Sequence, residues 1–143
     1  MDEGAEQVVD WAEFSRMRAE LGANFVRILG YFREDGEKAV AAIATAMQAR
    51  DAPAIVLPAH KLKSEARQFG AELLALLAEE IEESGRYAVE TRLFPDHVLP
   101  QVARLRPLYL ATIEALEEAV NPLAQRRAAG LGRGASNQEF GRL

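Results

Sequence analysis

The stretch Ala59-His60-Lys61-Leu62-Lys63-Ser64-Glu65-Ala66-Arg67-Gln68-Phe69-Gly70-Ala71 is the most informative part of the chain. On a helix turning about 100° per residue, Ile55, Ala59, Leu62, Ala66 and Phe69, and Leu73 if the register continued, share one arc of about 80°. That arc is a core face. His60 lies about 160° from Leu62 and so points outward, unlike an ordinary core histidine. Asp51 is a suitable N-cap for this helix and Pro53 sits in its first turn. Gly70 supplies the left-handed turn that ends it. Pro58 removes the hydrogen bond to the Ala54 carbonyl, which predicts either a local kink or a helix that begins near Pro58.

Working outward, helical periodicity recurs and no alternating strand pattern or hairpin signal is found. Asp10 with Glu13 forms a capping box that opens a short helix through Trp11, Phe14 and Met17. Gly22 bends the chain or separates this helix from the next. A long helix then carries Phe25, Ile28/Leu29, Phe32, Val40, Ile43 and Met47 on one stripe, with Gly36 at its solvent edge. Beyond Gly70 a further helix presents Leu73, Leu77 and Ile81, with Leu74 and Leu76 alongside, and is expected to end near Ser84-Gly85. After a loop through Phe94-Pro95-Asp96, a last helix shows Val98, Val102, Leu105, Tyr109, Ile113, Leu116 and Val120 at near-heptad spacing. Pro107 is expected to kink it or split it in two. The apolar pattern stops at Asn121-Pro122. These stripes predict an all-α fold, an antiparallel four-helix bundle with a short additional N-terminal helix. Residues 1–7 are expected to be an N-terminal tail, 8–121 the bundle, and 122–143 a flexible basic C-terminal tail.

The 143 residues suit one domain with a single core. The 17 basic and 22 acidic residues give a net charge of −5, which argues against non-specific nucleic-acid binding. Cysteine is absent, so disulfides, thiol nucleophiles and thiolate metal sites are excluded. The acidic Met1-Asp2-Glu3-Gly4 does not read as a signal peptide, and no apolar run approaches the ~20 residues that cross a bilayer. A cytoplasmic, monomeric protein with no membrane or nucleic-acid partner is expected.

Around His60 the neighbours at one and two turns are Lys63, Ser64 and Arg67. Cations beside an imidazole favour its neutral, nucleophilic form, and the same cations can hydrogen-bond a phosphoryl group once it is attached. The small Ser64 leaves room for a partner surface. On the residues alone, a reversible phosphoryl carrier and a merely solvated basic face both remain open. His97 is the other histidine, and a zinc site joining it to His60 is not expected. Glu79, Glu80, Glu82 and Glu83 read as a solvated acidic helix face rather than paired catalytic carboxylates. No glycine-rich phosphate loop or nucleophile elbow is present, so the chain has no means of its own to use ATP.

The run His60-Lys61-Leu62-Lys63, then Ala66, Gly70-Ala71, Leu73 and Leu77, resembles the signature of the histidine phosphotransfer (HPt) family. Phe25 and Phe32 on a long helix, an alanine-rich run and Asp51 ahead of the key helix are similar too. The resemblance covers roughly residues 8 to 120. It implies a phosphorelay carrier without enzyme activity that accepts a phosphoryl group on His60 and passes it between receiver domains. Lys63 is then the lysine that contacts the phosphoryl group, with Arg67 an auxiliary cation and Gly70 the glycine ending the active helix. Ser64 stands at the close-approach position, where the family usually has glycine. The implied partners are response-regulator receiver domains and a hybrid or cognate sensor kinase. No cofactor is expected on this chain, the divalent metal belonging to the receiver. A non-phosphorylated adaptor that docks receivers, and a plain helical scaffold, are the alternatives.

Overall fold

The computed structural model describes residues 7–121. Apart from Gln7, the expected N-terminal tail 1–7 and basic tail 122–143 therefore lie outside the described residues.

Helix α1 spans Trp11–Leu21, and the Asp10 carboxylate caps it by accepting from the N–H groups of Ala12 (3.1 Å) and Glu13 (3.3 Å). The expected capping box is only half formed. The Asp10 N–H donates to the Gly70 carbonyl at 2.7 Å, while Glu13 pairs with Arg16. A 3₁₀ turn at Gly22–Asn24 leads to α2, Phe25–Ala49. The chain leaves α2 through Arg50 in the left-handed conformation, and the Asp51 carboxylate accepts from the Ala54 N–H in the first turn of α3.

Helix α3 runs over Pro53–Gln68, straight through Pro58, so it does not begin there. Its end is the expected one: Gly70 has φ +77°, and a Cβ there would lie 2.8 Å from the Asp10 carbonyl oxygen. Helix α4 spans Glu72–Thr91 and does not stop at Ser84-Gly85. Gly85 is a contact rather than a terminator, since a Cβ there would sit 3.2 Å from side-chain methyls of Ile55 and Val56. A 3₁₀ turn at Asp96–Val98 precedes α5, Leu99–Val120, which continues unbroken through Pro107. Ala103 and Pro107 are both exposed, so water can satisfy the carbonyl that loses its partner.

The four long helices form an all-α antiparallel bundle in which α2–α3, α3–α4, α4–α5 and α5–α2 are neighbours. Short connections between successive helices impose that arrangement. The α3–α4 pair is the most extensive contact, and α3 and α2 lie on opposite sides of the molecule from α5 and α4 respectively. Helix α1 covers one end of the bundle. A chain of rings runs through the core, with centroid separations of 5.3 Å for Phe14–Phe25, 5.5 Å for Phe25–Phe69 and 5.2 Å for Phe69–Phe32. Tyr109 from α5 meets Phe32 edge-on and donates its hydroxyl to the Arg33 carbonyl. Each such buried ring stabilises the fold by about 2–3 kcal/mol. Gly36 is buried beneath Tyr109, not at the solvent edge of α2, because only a residue without a Cβ lets that ring approach the backbone. No helix among the described residues is long and apolar enough to cross a membrane.

Candidate functional site

The core arc read from the sequence is buried as expected: Ile55, Ala59, Leu62 and Ala66 are inaccessible and hold one face of α3 against the bundle. The opposite placement of His60 follows. Its side chain is 47% exposed, and it leans toward α4 rather than standing free. There the Glu82 carboxylate lies 3.0 Å from His60 Nδ1.

Glu82 is the centre of the cluster. It is buried, only 5% of its side chain accessible, and so is not part of a solvated acidic face. One oxygen meets Lys63 Nζ at 2.8 Å. The other receives His60 Nδ1 and a forked pair from Arg86, Nε at 3.0 Å and Nη2 at 2.8 Å. Burial by itself would raise the Glu82 carboxyl. The hydrogen bonds from Lys63, Arg86 and His60 outweigh it and hold the group down at about 2. Glu82 is therefore ionised near neutral pH and can only accept. The proton between it and the imidazole must then sit on Nδ1, which leaves the lone pair of a neutral ring on Nε2, the nitrogen on the far side.

This changes the expected electrostatics. The group touching the imidazole is an anion, and the cations stand behind it. Lys63 is where the sequence placed it, beside the site and mostly buried. Arg67 is elsewhere: it pairs with Glu79 at 3.1 Å and approaches Glu72 at 3.8 Å, tying α3 to α4 nearer the Gly70 turn. The cation joined to the histidine cluster is Arg86. Ser64 is exposed one turn beyond His60 and makes no hydrogen bond among the described residues. Gly70 is set back at the turn. His97 is exposed, and no metal-binding group of histidines and carboxylates is found among the described residues.

Glu82 and Arg86 escaped the sequence reading, although a signal was present. Ala75, Ala78, Glu82 and Gly85 repeat at helical spacing and all four are buried. A glutamate on a stripe of small residues faces a neighbouring helix, and the tight Gly70-Ala71 turn brings that stripe alongside α3.

In comparisons with known proteins, the family model described as Hpt domain matches residues 27–126. Helix α1 lies before the matched region. Among solved structures the chain is similar to histidine-containing phosphotransfer protein B (HptB) from Pseudomonas aeruginosa PAO1, with a TM-score of 0.56 and 25% sequence identity, covering 77% of this chain and 97% of that one. No curated protein matches.

Proposed function

The chain belongs to the Hpt domain family, and from that premise we propose that it accepts a phosphoryl group on His60 Nε2 from the phospho-aspartate of one receiver domain and passes it to the aspartate of another. The observation that carries this reading is the ionised Glu82 carboxylate 3.0 Å from His60 Nδ1.

In the transfer, the Nε2 lone pair attacks phosphorus in line while the bond from phosphorus to the aspartyl oxygen breaks. The leaving electron pair returns to the aspartate as carboxylate. The ring keeps its Nδ1 proton and becomes positively charged as the Nε2–phosphorus bond forms, and Glu82 stabilises that charge. No proton has to leave, so the step runs backward as readily when a second unphosphorylated receiver docks. Lys63 and Arg86, both held by Glu82 at rest, lie within a side-chain rotation of the incoming phosphoryl oxygens. A divalent ion on the receiver supplies further charge neutralisation.

Leu57, 65% exposed one turn before His60, and Val89, 45% exposed one turn beyond Arg86, give the docking face its apolar flanks. The protein, incubated with a phosphorylated receiver, should acquire acid-labile, base-stable phosphate, and phosphorus NMR should show the ε2 isomer. Label that persists in His60→Gln, or the δ1 isomer, would sink the assignment. Receiver binding without label would leave the adaptor reading in its place.

A further inference from the structure

Lys63 and Arg86 flank His60 on the side that faces α4, and at rest Glu82 holds both of them. A phosphoryl group on Nε2 brings three terminal oxygens, and the other flank of the histidine belongs to a different residue. At about 100° per residue, Lys63 stands about 60° round α3 from His60 toward α4, and Ser64 stands about 40° round on the opposite side. The two residues straddle the histidine. Lys61, one position along the chain, does not face the ring, because adjacent side chains on a helix diverge.

Ser64 is exposed, one turn past His60 within α3. Residues one turn apart on a helix have Cβ atoms about 5–6 Å apart, and each Cα–Cβ bond tilts toward the helix N-terminus. The Ser64 hydroxymethyl group therefore leans back over the turn that carries His60. A hydroxyl inside a helix commonly returns to the carbonyl four residues earlier. Thr91 and Thr112 do so, donating to the Tyr87 carbonyl at 2.8 Å and the Leu108 carbonyl at 2.7 Å. Ser64 does not return to the His60 carbonyl, and its hydroxyl makes no hydrogen bond among the described residues. It is a donor without an acceptor, beside the ring that gains three acceptor oxygens on phosphorylation.

We infer that the Ser64 hydroxyl donates a hydrogen bond to a phosphoryl oxygen of phospho-His60, and that this bond sets how firmly the chain holds the group against its receivers. The inference rests on the carrier reading above. Lys63 and Arg86 must loosen from Glu82 to reach the phosphoryl group, whereas Ser64 gives up no existing bond. The contact exists only in the phosphorylated state. It therefore stabilises phospho-His60 relative to the free imidazole and draws the exchange with a receiver toward this chain.

The test brings the full-length protein and a receiver domain with which it exchanges phosphate to equilibrium from both directions. Ser64→Ala and Ser64→Gly should each lower the ratio of phospho-His60 to phospho-aspartate by about fivefold to tenfold. A role in access alone has another signature. Removing bulk would then change the forward and reverse rates by the same factor and leave the ratio where it was. Phosphorus NMR of the protein loaded with phosphoramidate gives a second readout, the phospho-His60 resonance being identified by its loss in His60→Gln. Its pH midpoint should rise by about half a unit in Ser64→Ala, because a lost donor disfavours the dianion. An unchanged ratio or an unchanged midpoint overturns the inference. Wild-type protein that takes no phosphate on His60 is a separate result, which removes the carrier reading and this contact with it.

Discussion

Glu82 unites three donors around one buried carboxylate, and its substitution should separate two consequences. With Glu82→Gln the negative charge is lost while the shape is kept. Nothing then enforces the Nδ1 proton or stabilises the charged ring, so transfer from a phosphorylated receiver should slow by about a hundredfold in single-turnover kinetics. Arg86 and Arg67 allow a sharper comparison, since both are arginines on the same side of the bundle. Arg86→Gln should slow the same step about tenfold, because Arg86 is held beside the imidazole. Arg67→Gln should change it by less than about twofold, because Arg67 is engaged with Glu79. Equal effects of the two would refute the assignment of the auxiliary cation to Arg86. His60 and Lys63 were legible as a pair because three residues make about one helical turn. Glu82 was not, because its partner lies on another helix.

The helices were read well in their periodic stretches and less well where glycine or proline interrupts them. Gly36 and Gly85 look like weak points in a helix, and Pro58 and Pro107 look like breaks. In the folded chain α2 through α5 run past all four. The glycines mark where one helix presses on another, a role set by the neighbour and invisible in the local pattern. Gly36→Ala tests this. Alanine improves intrinsic helix propensity by up to about 1 kcal/mol. Its Cβ would overlap the Tyr109 ring, which is fixed by its hydrogen bond to the Arg33 carbonyl. Overpacking of that kind costs about 1–3 kcal/mol, so urea unfolding should show net destabilisation of about 1–2 kcal/mol. A stabilised variant would mean that Tyr109 moves aside freely.

For the whole molecule, two carboxyls shape stability against pH in opposite directions. Burial and the adjacent Asp35 carboxylate push Glu65 up to about 7 from an ordinary value of 4.5. The folded state thus holds this proton more tightly than the unfolded chain does. Its contribution is complete below about pH 4.5 and is lost as pH rises through about 7. Glu82 is held at about 2, so its contribution, on the order of 3 kcal/mol, is present above about pH 4.5 and lost as pH falls toward 2. Thermal melts between about pH 3 and pH 8 should show Glu65→Gln flattening the decline on the neutral side. Glu82→Gln should flatten the decline on the acid side, and parallel profiles for wild type and both variants would refute the two windows. The sequence by itself determined the all-α bundle, the outward-facing His60 and the turn at Gly70, because these follow from helical periodicity and from the backbone freedom of a single residue. Only the tertiary structure decided that Glu82 lies against His60, that Arg86 rather than Arg67 joins it, and that Gly36 sits under Tyr109. Those contacts join residues far apart in the chain, and the packing of whole helices sets which side chains meet.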